Sequence, residues 1–225
     1  MEGKSLLFKL LGDVEVVPVC IYPRKTPQLA IEAIIKLLGN FDAINLEDIK
    51  APECFDIEEG LNALKVLPIF HDDQHGTAIV TLAGLINAAK VVEKDLRACK
   101  IVINGAGAAG ITIAKLLLSY GVKDIIICDS AGSIYRGRTN NMNEAKRKIA
   151  EVTNKDNLNG LLPDVIKDTD VFIGVSQEKA LRGHWVATMA KKSIVFALAN
   201  PVPEILPDDA KSSGAYVYGS GRSDF

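Results

Sequence analysis

Short apolar runs and helical patterns alternate along this chain. Apolar runs occupy residues 14–19, 43–46, 66–70, 100–103, 124–128, 171–175, 193–198 and 215–218. Several are β-branched and apolar on both faces, as buried parallel strands are. Helical periodicity fills the gaps at 27–38, 57–64, 77–92, 108–120, 143–152 and 203–212. Alternation of this kind predicts an α/β fold with parallel sheets. The apolar pattern breaks at Lys94-Asp95-Leu96-Arg97. The break divides the chain into residues 1–95, part of a smaller α/β domain, and 96–225, a doubly wound, Rossmann-like dinucleotide-binding domain. The long helix over 77–92 is expected to join the two and pack with both.

Composition narrows the function classes. The chain has 225 residues, 48% hydrophobic and 24% charged, with a net charge of −2. That is ordinary globular composition, enough for one large or two small domains. No basic run offers a footprint for nucleic acid. No apolar run reaches the ~18–20 residues that span a bilayer, so no membrane partner is expected. The first residues, Met1-Glu2-Gly3-Lys4-Ser5-Leu6-Leu7-Phe8, are too short a stretch for a signal peptide. Cys20, Cys54, Cys99 and Cys128 are scattered without zinc-ligand spacing. They read as small buried hydrophobes in a reducing compartment, and the cytoplasm is the expected location.

Two stretches carry chemistry. The first is Gly105-Ala106-Gly107-Ala108-Ala109-Gly110, directly after the run at 100–103 and before a helical pattern. In such a turn Gly105 permits the tight bend, Gly107 lets the backbone approach a pyrophosphate, and Gly110 lets helix and strand pack closely. The helix N-terminus supplies free N–H groups and a positive dipole end. Asp129 ends the next apolar run about 24 residues on, near the ~20 expected of the acid that binds the ribose hydroxyls of NAD. Such an acid repels the 2′-phosphate of NADP, although Arg136 and Arg138 follow and could accommodate it. NAD is the expected cofactor, with NADP as the alternative.

The second stretch is Phe70-His71-Asp72-Asp73-Gln74-His75-Gly76-Thr77. Asp72 and Asp73 follow one apolar run, and Glu47 and Asp48 follow another. Ligands of open parallel sheets bind at the C-terminal strand ends. Several carboxylates there suit Mg²⁺ or Mn²⁺, hard cations with octahedral oxygen coordination. Helix capping by Asp73 and a turn at Asp48 account for single acids but not for two pairs. His71 and His75 lack zinc-site spacing and are expected to hydrogen-bond locally.

Taken together, NLED (45–48), FHDDQHGTA (70–78), NGAGAAG (104–110), FALANPVPE (196–204) and GRSDF (221–225) resemble malic enzymes of the bacterial and archaeal type. The resemblance runs over essentially the whole chain. It implies oxidative decarboxylation of L-malate to pyruvate and CO₂ with NAD or NADP and Mg²⁺ or Mn²⁺. It further implies metal ligation by Glu47, Asp48 and Asp73. Asp72 would stand beside the catalytic lysine, which Lys4 in Gly3-Lys4 matches, and Asn200 would lie against nicotinamide and substrate. The family is usually dimeric, so a homodimer is expected. Family members also carry an N-terminal segment with a proton-donating tyrosine and an Asn-rich loop beyond GRSDF. The alternative expectation is therefore a catalytically incomplete NAD- and metal-binding module. A different dehydrogenase on the same fold, with structural carboxylates, is a third.

Overall fold

The computed structural model describes residues 2–21 and 26–224. Phe225, the last residue of the GRSDF motif, lies outside them. Two parallel sheets organise the chain. The smaller pairs β1 (Ile44–Leu46) with β2 (Ile69–His71) in parallel, Leu46 opposite His71. Helices α2 (Pro27–Ile35) and α3 (Glu53–Ala63) cover it, and Ala30, Ile34, Leu38, Leu46, Ile57 and Leu61 form its core.

The larger sheet has six strands. They are β3 (Lys100–Asn104), β4 (Asp124–Asp129), β5 (Gly132–Ser133), β6 (Val171–Gly174), β7 (Ser193–Ala197) and β8 (Ala215–Ser220). Their order is β5-β4-β3-β6-β7-β8, parallel throughout except for the short β4–β5 hairpin. β3, β6 and β7 are buried along almost their whole length, which explains their unbroken apolar runs. One face is covered by α4 (Asp72–Val92), α5 (Ala108–Tyr120) and α6 (Glu144–Ala150). The short helices α7 (Leu162–Val165), α8 (Gly183–Val186) and α9 (Pro207–Ser212) cover the other. The strand order reverses direction between β3 and β6, where such sheets bind ligands.

α4 links the two sheets. Its start packs on β2 and its length on α5, β7 and β8. Leu85, Ala88, Ala89 and Val92 enter the core of the larger sheet. Gly84 keeps the approach close: a Cβ there would stand 2.9 Å from the Phe196 ring.

The structure departs from the sequence expectation at several elements. Residues 14–19 form no strand. They have no ladder partner among the described residues, and Val14, Val17 and Val19 are exposed. An apolar run without a neighbouring strand has nothing to satisfy its backbone in a sheet. Before it lies a helix, α1 (Glu2–Gly12), with no buried residue; the helical periodicity did not mark it, although the match of Gly3-Lys4 to a lysine at a helix start implied one. α4 starts at Asp72 rather than 77, because Asp-Asp-Gln-His lacks apolar periodicity while its two acids favour a helix N-terminus. By length and composition α4 is apolar enough to cross a membrane, contrary to the expectation that no segment is. Here its apolar side is spent on α5 and the sheet. Cys20 is exposed, unlike the other three cysteines. Burial pushes the thiols of Cys54 and Cys99 up to about 11 and that of Cys128 to about 12.

Candidate functional site

The register of the smaller sheet builds a carboxylate corner. Leu46 pairs with His71, so Glu47 and Asp72 each follow directly at the C-terminal ends of adjacent strands. Neighbouring strands lie about 4.8 Å apart, which sets the spacing of the two acids. One carboxylate oxygen from each of Glu47, Asp72 and Asp73 lies within 4.8 Å of the others. Lys4 reaches in from α1, its Nζ donating to Glu47 Oε1 at 2.5 Å and to Asp72 Oδ2 at 2.7 Å. Asn45 Nδ2 donates to the same Glu47 oxygen at 2.6 Å. Burial lowers the Lys4 pKa, but the hydrogen bonds and charges of Asp72 and Glu47 outweigh it and the net shift is upward.

Of the expected metal ligands, Glu47 and Asp73 stand in this group, joined by Asp72. Asp48 is exposed, sits in the left-handed region at φ 57°, and stays out of the cluster. The chain turns there, directly after Glu47. Asp72, expected only as a neighbour of the lysine, is brought in both beside Lys4 and among the cluster oxygens. Gly76 makes the room: a Cβ there would overlap Asp72 Oδ1 one helical turn earlier. Gly76 stands four residues after Asp72 in the helix, and that spacing is the signal in the sequence for this close approach.

Beside the corner stand the two histidines of the motif. His75 Nε2 lies 2.7 Å from Glu58 Oε1, and Gln74 Nε2 donates to Glu58 Oε2 at 3.0 Å. His75 thus bonds locally as expected. His71 does not. Its side chain is fully buried, neither ring nitrogen has a hydrogen-bond partner, and Nε2 lies 3.5 Å from Asp73 Oδ2. Burial lowers its pKa, against the pull of the carboxylates of Asp73, Glu58 and Glu47.

The glycine turn lies at the C-terminal end of β3. Gly105 has φ 127° and donates its N–H to the Cys128 carbonyl at 2.8 Å; a Cβ would strike the Val175 carbonyl. A Cβ on Gly110 would strike the Gly105 carbonyl, so the helix packs directly on the turn. Gly107 is the N-cap of α5 with no side-chain cap, and a Cβ there would meet open space. Ala106, Ala108 and Ala109 complete a turn whose side chains leave the helix N-terminus uncovered for a phosphate.

Asp129 ends β4 as expected, but it is occupied. Oδ1 accepts from Arg138 Nη2 at 2.6 Å and the Ala131 N–H at 2.9 Å; Oδ2 accepts from Lys146 Nζ at 2.7 Å and Asn141 Nδ2 at 3.1 Å. Burial raises its pKa, yet Lys146 and Arg138 hold it below the usual carboxylate value. The local charge is positive, so the acid's repulsion of a 2′-phosphate is offset.

A second buried acid was missed. Glu204, the last residue of FALANPVPE, is fully buried beneath the strand ends. It accepts the Ser176 N–H at 2.9 Å and the Ala199 N–H at 3.0 Å, tying the loops after β6 and β7 together. Asn104, at the end of β3, donates to Ser176 Oγ at 3.0 Å. Asn200 follows Ala199 and is exposed, its Nδ2 only loosely on the Leu198 carbonyl at 3.5 Å. Burial raises the Glu204 pKa. Nothing in the periodicity marked Glu204; the signal was an acid among apolar residues that turned out to cap backbone N–H groups.

Comparison with known proteins identifies the family. Residues 74–222 match the family described as malic enzyme, NAD binding domain. All of the chain aligns at 53% identity with 55% of the bifunctional malic/malolactic enzyme of Bacillus subtilis. It aligns at 48% identity with 46% of the NAD-dependent malic enzyme of Geobacillus stearothermophilus. The crystal structure of the NAD-dependent malic enzyme of Thermotoga maritima superposes with a TM-score of 0.96 at 42% identity, covering all of this chain and 59% of that one. The chain thus spans about half the length of these curated relatives. With the family matched over most of its length and the glycine turn in place, this chain belongs to the malic enzyme family and carries its NAD-binding domain.

Proposed function

We propose that this chain carries the metal and cofactor core of an enzyme that converts L-malate to pyruvate and CO₂ with NAD or NADP. The observation that carries this reading is the convergence of Lys4 on Glu47 and Asp72 beside Asp73, in one molecule with the open glycine turn. The corner fits a divalent cation. Three carboxylates and one ammonium, counted at their formal charges, leave two negative charges, and hard oxygen donors suit Mg²⁺ or Mn²⁺. The ligand set favoured by the geometry is Glu47, Asp73 and Asp72, with Asp48 as the residue that gives way.

A bound cation there supplies Lewis acidity, which lowers the pKa of a substrate hydroxyl and polarises a ketone. Lys4 Nζ, beside the proposed cation site, would take the hydroxyl proton of malate. Its ammonium keeps its proton while Glu47 and Asp72 hold it, so release of either bond is what readies it as a base. The N–H groups opening α5 would hold the cofactor pyrophosphate, with Gly107 leaving space for it. Asn200, free of strong bonds of its own, would face nicotinamide and substrate. A homodimer is part of the proposal, supported by the apolar side chains of Leu6, Leu7, Leu10 and Leu11 exposed on α1.

Purified protein incubated with malate, NAD⁺ or NADP⁺ and Mn²⁺ tests the proposal through absorbance of the reduced nicotinamide. Production that requires malate and Mn²⁺ and is lost in Asp73→Asn supports it. Thermal stabilisation by cofactor and Mn²⁺ without any turnover would instead favour the catalytically incomplete module.

A further inference from the structure

The geometry points to His71 as a positioning residue that donates a hydrogen bond from Nε2 to the Asp73 carboxylate and so aims Asp73 at the bound cation. This inference rests on the cation site proposed above.

His71 ends β2 and precedes α4, so it lies directly behind the carboxylate corner. Its ring is fully buried and both nitrogens are without a partner. An imidazole carries at least one N–H in any protonation state. Buried polar groups are nearly always bonded, and one that is not calls for a specific explanation. Its neighbours divide cleanly. His75 Nε2 and Gln74 Nε2 are engaged by the two oxygens of Glu58, and Gln74 Oε1 accepts from Thr112 Oγ1 at 3.3 Å, so none of these bonds is made to His71. The carboxylate of Asp73 is the acceptor within reach, with Oδ2 3.5 Å from Nε2. A formed N–H···O bond spans about 2.9–3.0 Å. The gap is a few tenths of an ångström, which a rotation of the exposed Asp73 side chain closes. A carboxylate that gives one oxygen to a cation presents its other oxygen to such a donor, and partners of this kind orient metal ligands. The ring is thus unsatisfied in a corner without a cation and satisfied in one that holds it.

The inference predicts opposite effects of one substitution. His71→Leu removes a buried, unpaired polar group, so the cation-free protein should unfold at the same temperature as the wild type or higher. The same variant should bind Mn²⁺ roughly 10- to 100-fold more weakly. His71→Gln, which keeps an N–H near the Nε2 position, should bind Mn²⁺ within a few-fold of the wild type. Mn²⁺ affinity is read by electron paramagnetic resonance of the free ion, and unfolding by a thermal melt in chelator. A purely packing role would lower the melting temperature in His71→Leu and leave Mn²⁺ affinity alone; that result overturns the inference. Wild-type protein that binds no Mn²⁺ overturns the cation site itself and this inference with it. A measurement without substitution keeps the test open if His71→Leu fails to fold. The ¹⁵N spectrum of the wild-type imidazole should show the proton on Nε2 and a shift of that nitrogen on adding Mg²⁺. A proton resident on Nδ1 in the Mg²⁺-bound protein would refute it.

Discussion

Replacing Asp129 with Asn probes a densely bonded, nearly buried charge. The carboxylate takes four donors, two on each oxygen: Arg138 and the Ala131 N–H on one, Lys146 and Asn141 on the other. An Asn side chain has a single carbonyl oxygen, so it can keep one donor pair; its amide then points a donor at the other pair. Arg138 and Lys146 have side chains only 4% and 10% exposed, so water cannot replace the lost partner. Removing one member of a buried ion pair costs roughly 3–5 kcal/mol. Because one donor pair survives, the low end applies, about 3 kcal/mol. For a chain of this size that lowers the melting temperature by roughly 6–12 °C. The pH dependence has a definite sign. The folded-state pKa of Asp129 lies below its ordinary 3.8, so its stabilisation is complete well above that value and is lost as pH falls through the lower folded-state pKa. The gap in stability between wild type and Asp129→Asn should therefore be full at neutral pH and close below pH 3.8. Thermal melts across pH measure it. A loss under about 1 kcal/mol at neutral pH, or a gap that widens in acid, would refute the reasoning. The variant also leaves two cations at the ribose end of the proposed cofactor site, so NADPH should gain on NADH in fluorescence titrations.

Two further substitutions test other joints of the site. Gly76→Ala places a methyl where Asp72 Oδ1 now lies. Helix propensity favours the change by up to about 1 kcal/mol, so melting should be unaffected or raised, while malate turnover should fall because Asp72 is displaced from Lys4. Glu204→Ala strips the Ser176 and Ala199 N–H groups of their acceptor. The Ala199 N–H is buried and the Ser176 N–H only partly so; at roughly 1–3 kcal/mol for an unsatisfied buried donor, the change should cost at least about 1–3 kcal/mol by urea denaturation and weaken NADH binding.

The strands of the larger sheet were legible because they are buried on both faces: at β3, β4, β6 and β7 burial and the apolar pattern coincide. The glycine turn was legible because strand, glycines and helix appear in one uninterrupted stretch. What failed to show was whatever depends on a partner distant in sequence. Residues 14–19 have the composition of a strand but no neighbour to pair with among the described residues. Asp48 looked equivalent to Glu47 until the backbone turned at its left-handed φ. Asp129 looked free because Arg138 and Lys146, 9 and 17 residues away, give no local hint that they close on it. Lys4 was found by resemblance alone; its two acids lie 43 and 68 residues away.

The central claim is that Glu47, Asp72 and Asp73 hold one divalent cation beside Lys4. Anomalous scattering from a crystal of the protein grown with Mn²⁺ and NADH tests it most directly. The account predicts a single strong peak among those three carboxylates, with Lys4 released from at least one of the oxygens it now holds. A peak centred on Asp48, or none near the corner while Lys4 stays locked on Glu47 and Asp72, would contradict it.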